Sequence, residues 1–165
     1  MHSPSHEQHV ELKLARLRDA QRIAVMSRDL IEFDLPWSWT APRIAAHIRS
    51  SESNVLTAWV DSRLVGFALM QYFNEHAHLN LLGVEPAYRR FGIGRRLIEW
   101  LEETARVGDI FTITLEVRAG QQGSRTFYRA LGYREDKYIP GYYSGREAAV
   151  RMSHDLRRPS SNSLH

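Results

Sequence analysis

The 165-residue chain contains no cysteine, which removes disulfides, thiolate metal sites and a cysteine nucleophile at once. Lysine is almost as scarce, two residues against twenty arginines. The formal charge of +3 is scattered along the chain, so charge alone does not argue for a nucleic-acid partner. No apolar run approaches the ~20 residues of a membrane span. The opening Met1-His2-Ser3-Pro4-Ser5-His6 lacks the apolar core of a signal peptide. These absences set the expectation of a cytoplasmic protein with neither membrane nor nucleic acid among its partners. What is present, 43% apolar and 25% charged residues, is the composition of one globular domain with a real core.

Periodicity predicts the order β-α-α-β-β-β-α-β-α-β-β and an α/β (α+β) fold, a single mixed, mostly antiparallel sheet flanked by helices. Val10 to Leu17 alternates as a first strand, and Asp19 is an N-cap candidate for a helix to about Phe33. A short helix from Ala41 to Ser50 starts beside Pro42. Val55 to Val60, Leu64 to Tyr72 and His76 to Val84 read as a meander whose first hairpin turns at Asp61-Ser62-Arg63. A helix after Gly94, a strand from Ile113 to Arg118, a helix stopped by Gly132 and strands Tyr133 to Ile139 and Ala148 to Leu156 complete the pattern. The domain is expected over 10–156, with flexible tails at 1–9 and 157–165.

Two stretches carry chemistry. In Arg89-Arg90-Phe91-Gly92-Ile93-Gly94-Arg95-Arg96 two glycines lead into a helical pattern. Glycine allows close backbone approach, first-turn N–H groups lack internal partners, and arginines add positive charge, so a phosphate suits the place; a plain turn would read the same. No Lys-Ser or Lys-Thr follows Gly94, excluding a P-loop, and no third glycine completes a dinucleotide fingerprint. In Thr112-Ile113-Thr114-Leu115-Glu116-Val117-Arg118, Thr114, Glu116 and Arg118 share a face opposite Ile113, Leu115 and Val117. A polar face on a central strand suggests a cleft, unless that face is solvated or Glu116 simply pairs with Arg118. Tyr128 sits at the edge of the stripe Phe127, Ala130, Leu131, where a tyrosine packs with a wet hydroxyl.

The glycine loop resembles the pyrophosphate loop of the GNAT acyltransferases. Leu115-Glu116-Val117-Arg118, Tyr128 to Tyr133, Gly141-Tyr142-Tyr143 and Gly145 to Ala148, with Val84 to Arg89 upstream, resemble the bacterial ribosomal-protein alanine N-acetyltransferases of that superfamily. The resemblance implies a GNAT fold and acetyl-CoA as donor. It implies that Glu116 is the general base and Tyr128, twelve residues later, the general acid. It further implies that Leu82, Gly83 and Val84 bond the acetyl and pantetheine part, and that Arg89, Arg90, Phe91, Gly92, Ile93, Gly94 and Arg95 surround the pyrophosphate. Gln121 stands where the family usually has an asparagine that contacts the cofactor, and the segment between Tyr143 and Arg146 is shorter than usual.

Direct attack by a neutral amine on a thioester needs a base, charge stabilisation and a proton for the departing thiolate, but no metal. Trp37, Tyr138, Tyr142 and Tyr143 are candidates for the acceptor wall. His76 and His78 have i, i+2 spacing but no evident third ligand, so no metal is expected. The expected reaction is acetylation of a protein or peptide N-terminal α-amine. Alternatives are a polyamine- or aminoglycoside-type small amine, and a non-catalytic acyl-CoA-binding module. Exposed C-terminal strands could also pair two copies into a homodimer.

Overall fold

The computed structural model describes residues 9–157; apart from His9 and Arg157, the two expected tails lie outside the described residues. Arg157 is exposed, its N–H bonding Asp155 at 3.0 Å and its guanidinium 4.6 Å over the Phe111 ring. The elements are β1 (Glu11–Leu14), α1 (Ala20–Leu30), α2 (Ala41–Arg49), β2 (Ser53–Val60), β3 (Arg63–Tyr72), β4 (Ala77–Val84), α3 (Ile93–Val107), β5 (Thr112–Arg118), α4 (Gln122–Ala130), β6 (Arg134–Tyr143) and β7 (Glu147–Asp155). This is the element order expected from periodicity. The seven strands form one sheet in the order β1-β2-β3-β4-β5-β7-β6, mixed because β4 and β5 run parallel while β5, β7 and β6 alternate. No helix among the described residues is long and apolar enough to cross a membrane.

The described residues divide into two compact units, 9–33 with 37–69 and 81–99, and 34–36 with 70–80 and 100–157; β3 and β4 contribute residues to both. In the first unit, Ile23 and Met26 of α1 and Ile44 of α2 pack with Val55, Leu64, Phe67, Leu69 and Leu81 of the strands. Each such side chain contributes about 1.5–3 kcal/mol on burial. The β2–β3 turn places Asp61 and Ser62 at φ 48° and 66°, the pair of positive values a two-residue hairpin demands.

Several boundaries move from expectation. β1 stops at Leu14, because Leu17 to Asp19 form a 3-10 turn that leaves Leu17 exposed. Asp19 stands at the N-cap position of α1 as expected, but its side chain makes no cap hydrogen bond to the helix: the carboxylate accepts the Arg16 N–H at 2.8 Å. The helix α1 ends at Leu30, where Ile31 and Glu32 both donate to the Ser27 carbonyl and Asp34 turns to φ 64°. The buried Glu32 carboxylate then gathers the Ser38 N–H at 2.7 Å, the Ser38 hydroxyl at 2.8 Å and the Trp39 N–H at 3.2 Å. In the second unit β6 extends to Tyr143, so Tyr142 and Tyr143 lie on a strand and not on a loop.

Candidate active site

The strand β5 lies inside the sheet and its polar face carries Thr114 and Glu116. Glu116 is opposite Arg151 of β7 in the antiparallel ladder, and β4 meets β5 only at Ala77↔Ile113 and His78↔Thr114. This register delivers two partners to the one carboxylate. His78 Nε2 stands 2.8 Å from Oε2; Arg151 donates to Oε1 from Nη2 at 2.9 Å and from Nε at 3.2 Å. Burial alone would push the Glu116 carboxyl up, but hydrogen bonding and charge from His78, then from Arg151, outweigh it and hold the group below its ordinary value. The site therefore keeps an ionised carboxylate of modest basicity. Arg118 is not its partner; it pairs with Glu147 at 3.4 Å, its guanidinium 5.9 Å over the Tyr143 ring.

Tyr128 is buried, which corrects the expectation of a wet boundary residue. Its ring lies edge-on between Phe127, 5.1 Å away, and Tyr133, 5.7 Å away. Burial, and secondarily Tyr143, raise its phenol well above the ordinary tyrosine value, so the hydroxyl stays protonated.

Tyr142 and Tyr143 link Glu116 to Tyr128. Their rings meet edge to face at 4.9 Å; burial and then the Glu116 charge raise Tyr142, while burial, Tyr142 and Glu116 raise Tyr143. Thus Glu116, Tyr142, Tyr143 and Tyr128 form one electrostatic neighbourhood inside the second unit. Tyr138 lies on β6 and is 63% exposed. Gln121 precedes α4 and its side-chain oxygen accepts the Ser124 hydroxyl at 3.4 Å.

Behind Tyr128 lies a group that periodicity could not show. The buried Glu102 carboxylate accepts the Tyr133 hydroxyl at 3.0 Å, and His154 Nδ1 stands 3.0 Å from the same oxygen. The residues sit on α3, after α4 and on β7, so nothing in local sequence couples them.

The loop of the first unit is a 3-10 helix, Pro86–Phe91, that breaks at Gly92 and restarts as α3 at Ile93. Gly94 is thus inside the helix. Gly92 has φ 71°, and a Cβ there would meet nothing within 4 Å, so its conformation, not crowding, demands glycine. The Ile93 side chain is buried in the core, leaving only its backbone for a ligand. The arginines diverge: Arg89 Nε bonds the Val84 carbonyl at 3.1 Å, Arg95 pairs with Glu99 at 2.6 Å, and Arg96 reaches the Val10 carbonyl at 3.1 Å. Leu82, Gly83 and Val84 end β4. Trp37 is 39% exposed, with the Arg28 guanidinium 5.3 Å over its ring. No group of three or more candidate metal ligands exists among the described residues, and His76 instead stacks on Phe73 at 4.8 Å.

Residues 23–133 match the sequence model of the Acetyltransferase (GNAT) family, and the chain belongs to that family. It is therefore of the class of acetyl-CoA-dependent N-acetyltransferases, acyltransferases with acetyl-CoA as donor. It is 30% identical over 133 residues to the [Ribosomal protein bS18]-alanine N-acetyltransferase of Salmonella typhimurium, covering 73% of this chain and 90% of that one. It is 32% identical over 90 residues, 54% of this chain, to the N-terminal acetyltransferase B complex catalytic subunit naa20 of Schizosaccharomyces pombe; that match spans half the length of the yeast protein. The crystal structure of the ribosomal-protein-S18-alanine N-acetyltransferase from Escherichia coli shares the fold, with TM-score 0.79 at 24% identity over 95% of this chain and all of that one.

Proposed function

We propose that this protein transfers the acetyl group of acetyl-CoA to the α-amine of a protein or peptide N-terminus, with residues 10–156 acting as one catalytic domain. The observation that carries this reading is an ionised Glu116, kept weakly basic by His78 and Arg151, in the same neighbourhood as a protonated Tyr128. A base held below its ordinary value does little for a lysine, whose pKa is ~10.4, but suffices for an α-amine at ~7.7–8.0 that is already partly neutral near pH 7. The names of the Salmonella and fission-yeast relatives, both N-terminal or alanine acetyltransferases, favour the same acceptor.

Glu116 takes the proton of the attacking amine, directly or through water. The C–N bond forms as the thioester C–S bond breaks, and Tyr128 returns a proton to the departing thiolate. No covalent enzyme intermediate is needed. The first-turn N–H groups of α3, with Arg90 and the open space at Gly92, would bind the pyrophosphate, and the end of β4, Leu82 to Val84, the pantetheine. Tyr138, Tyr142 and Tyr143 are the proposed acceptor contacts of the second unit and Trp37 the candidate of the first, and a homodimer along the exposed β6 edge belongs to the same reading.

The test is free-thiol release from acetyl-CoA against N-terminal peptides, lysine peptides, polyamines and aminoglycosides, with mass spectrometry of the products. Acetylation confined to peptide α-amines is expected; acetylation of small amines alone would reassign the acceptor. Glu116→Gln and Tyr128→Phe should each slow turnover while leaving acetyl-CoA affinity nearly intact. Unchanged turnover in both would remove the assigned roles.

A further inference from the structure

A line of hydrogen bonds crosses the site at the point where β4 and β5 stop pairing. The last paired residues are His78 and Thr114, whose side chains meet at 2.6 Å between Nδ1 and Oγ1. Thr114 Oγ1 has a second acceptor, the Ala77 carbonyl, at 3.5 Å. The short contact pins Nδ1 at Thr114, and the ring turns its Nε2–H toward Glu116 Oε2 2.8 Å away. With both nitrogens engaged, His78 cannot take a proton from a substrate amine without breaking one of these bonds. It can fix the carboxylate.

That matters because backbone pairing does not do so. Glu116 lies two residues past the last β4–β5 pair, so on that side no ladder bond sets its distance from β4. The His78 bridge supplies the missing restraint from β4, while Arg151 restrains the other oxygen from β7. We propose that His78 is a positioning residue for the transfer step: with its ring held by Thr114, it holds Oε2 of Glu116 opposite Arg151 at Oε1, locking the base in one rotamer. This rests on Glu116 being the base. His78 itself touches no reacting atom.

The experiment measures kcat and both KM values for His78→Leu, His78→Gln, Thr114→Val, Glu116→Gln and the double variant H78L/E116Q, with thermal melts of each. A hydrogen bond to a charged group sets the scale, so H78L should lose roughly ten- to a hundred-fold in kcat with the KM for acetyl-CoA unchanged. His78→Gln, whose amide nitrogen can donate from near the Nε2 position, should recover most of that loss. Thr114→Val should lose several-fold, because the ring is no longer held at Nδ1 while the Nε2 donor remains. The double variant should be no slower than E116Q alone. The inference is overturned if H78Q is as slow as H78L, if the losses follow the melting temperatures, or if the two substitutions are additive. Each of those outcomes leaves a slow E116Q, and hence the base assignment, standing; a wild-type E116Q would instead remove the base reading itself.

Discussion

Replacing Glu102 by leucine should cost far more stability than replacing it by glutamine, and the difference follows from one oxygen. Tyr133 and His154 both converge on Oε2, and all three side chains are buried. Leucine strands two buried donors at about 1–3 kcal/mol each, so about 3–5 kcal/mol in all once imperfect packing is included. Glutamine can place its carbonyl oxygen at the Oε2 position and keep both bonds. Its amide nitrogen falls at Oε1, which is not among the sealed, unpartnered atoms, so the cost is about 1 kcal/mol or less. For a domain of this size that translates to a fall in Tm of roughly 6–20 °C for Glu102→Leu and about 2–4 °C for Glu102→Gln. Tyr133 packs on Tyr128, so Glu102→Leu should also lower kcat at temperatures where the protein is still folded. Urea and thermal unfolding followed by circular dichroism measure both variants. Equal losses for the two, or a loss under 1 kcal/mol for the leucine variant, would refute the idea that this carboxylate's value lies in the donors it satisfies.

Other outcomes follow from the same geometry. Because His78 and Arg151 hold Glu116 below its ordinary 4.5, the rise of kcat/KM with pH near neutrality should track the acceptor's own α-amine; two peptides of different amine pKa should shift the limb, and an invariant limb would contradict this. The depressed Glu116 contributes stability that is present above pH 4.5 and lost as pH falls through its folded value. Tyr133 has the opposite sign: raised well above 10.0 by burial and by Glu102, it contributes stability present below pH 10 and lost as pH climbs beyond it, so Tyr133→Phe should flatten the alkaline arm of a stability profile. Gly132 has φ 101° and an added Cβ would stand 2.7 Å from His154 Nε2; Gly132→Ala should cost over 2 kcal/mol by denaturant unfolding. Ser62→Gly should instead stabilise by about 0.5–1 kcal/mol, since Ser62 sits at φ 66° in the hairpin turn.

Local sequence carried the element order because each signal was local: Pro42 at the start of α2, Gly132 after α4, alternation in β5. It overran at Leu17 and at Phe33, where the hydrophobic period continued but the backbone turned to satisfy other groups, Asp19 on Arg16 and Glu32 on Ser38. Motif spacing singles out Glu116 and Tyr128 as the proposed site residues, and both interact with Tyr143. The groups that tune them were not legible in this way. His78, Arg151 and Thr114 reach Glu116 through a parallel pairing and an antiparallel one, and register between strands 36 and 35 residues apart leaves no local trace. The histidine was visible only as half of a metal-like pair.

The acids that a basic acceptor would need offer a last test of the acceptor. Glu32 is committed to Ser38 and Trp39, Glu135 is forked by Arg125 at 2.8 and 2.9 Å and also paired with Arg129, and Asp136 pairs with Arg134 and takes the Ser153 hydroxyl. Glu135 and Asp136 are already paired with arginines and the Glu32 carboxylate is taken up by hydrogen bonds, so drawing a lysine-rich acceptor to them would require breaking existing contacts. Glu116 is itself half-claimed by Arg151, whose side chain is 42% exposed beside it. A lysine ammonium approaching that carboxylate meets a neighbouring guanidinium and must also lose a proton about three pK units above neutrality, roughly 4 kcal/mol. An α-amine avoids most of that cost. Arg151→Met should therefore shift selectivity: by removing the guanidinium and letting the Glu116 carboxyl rise, it should narrow the preference for α-amine over lysine peptides in kcat/KM. A preference that stays the same or widens in R151M would mean that selectivity is set elsewhere, by the shape of the aromatic wall and not by the charge around the base.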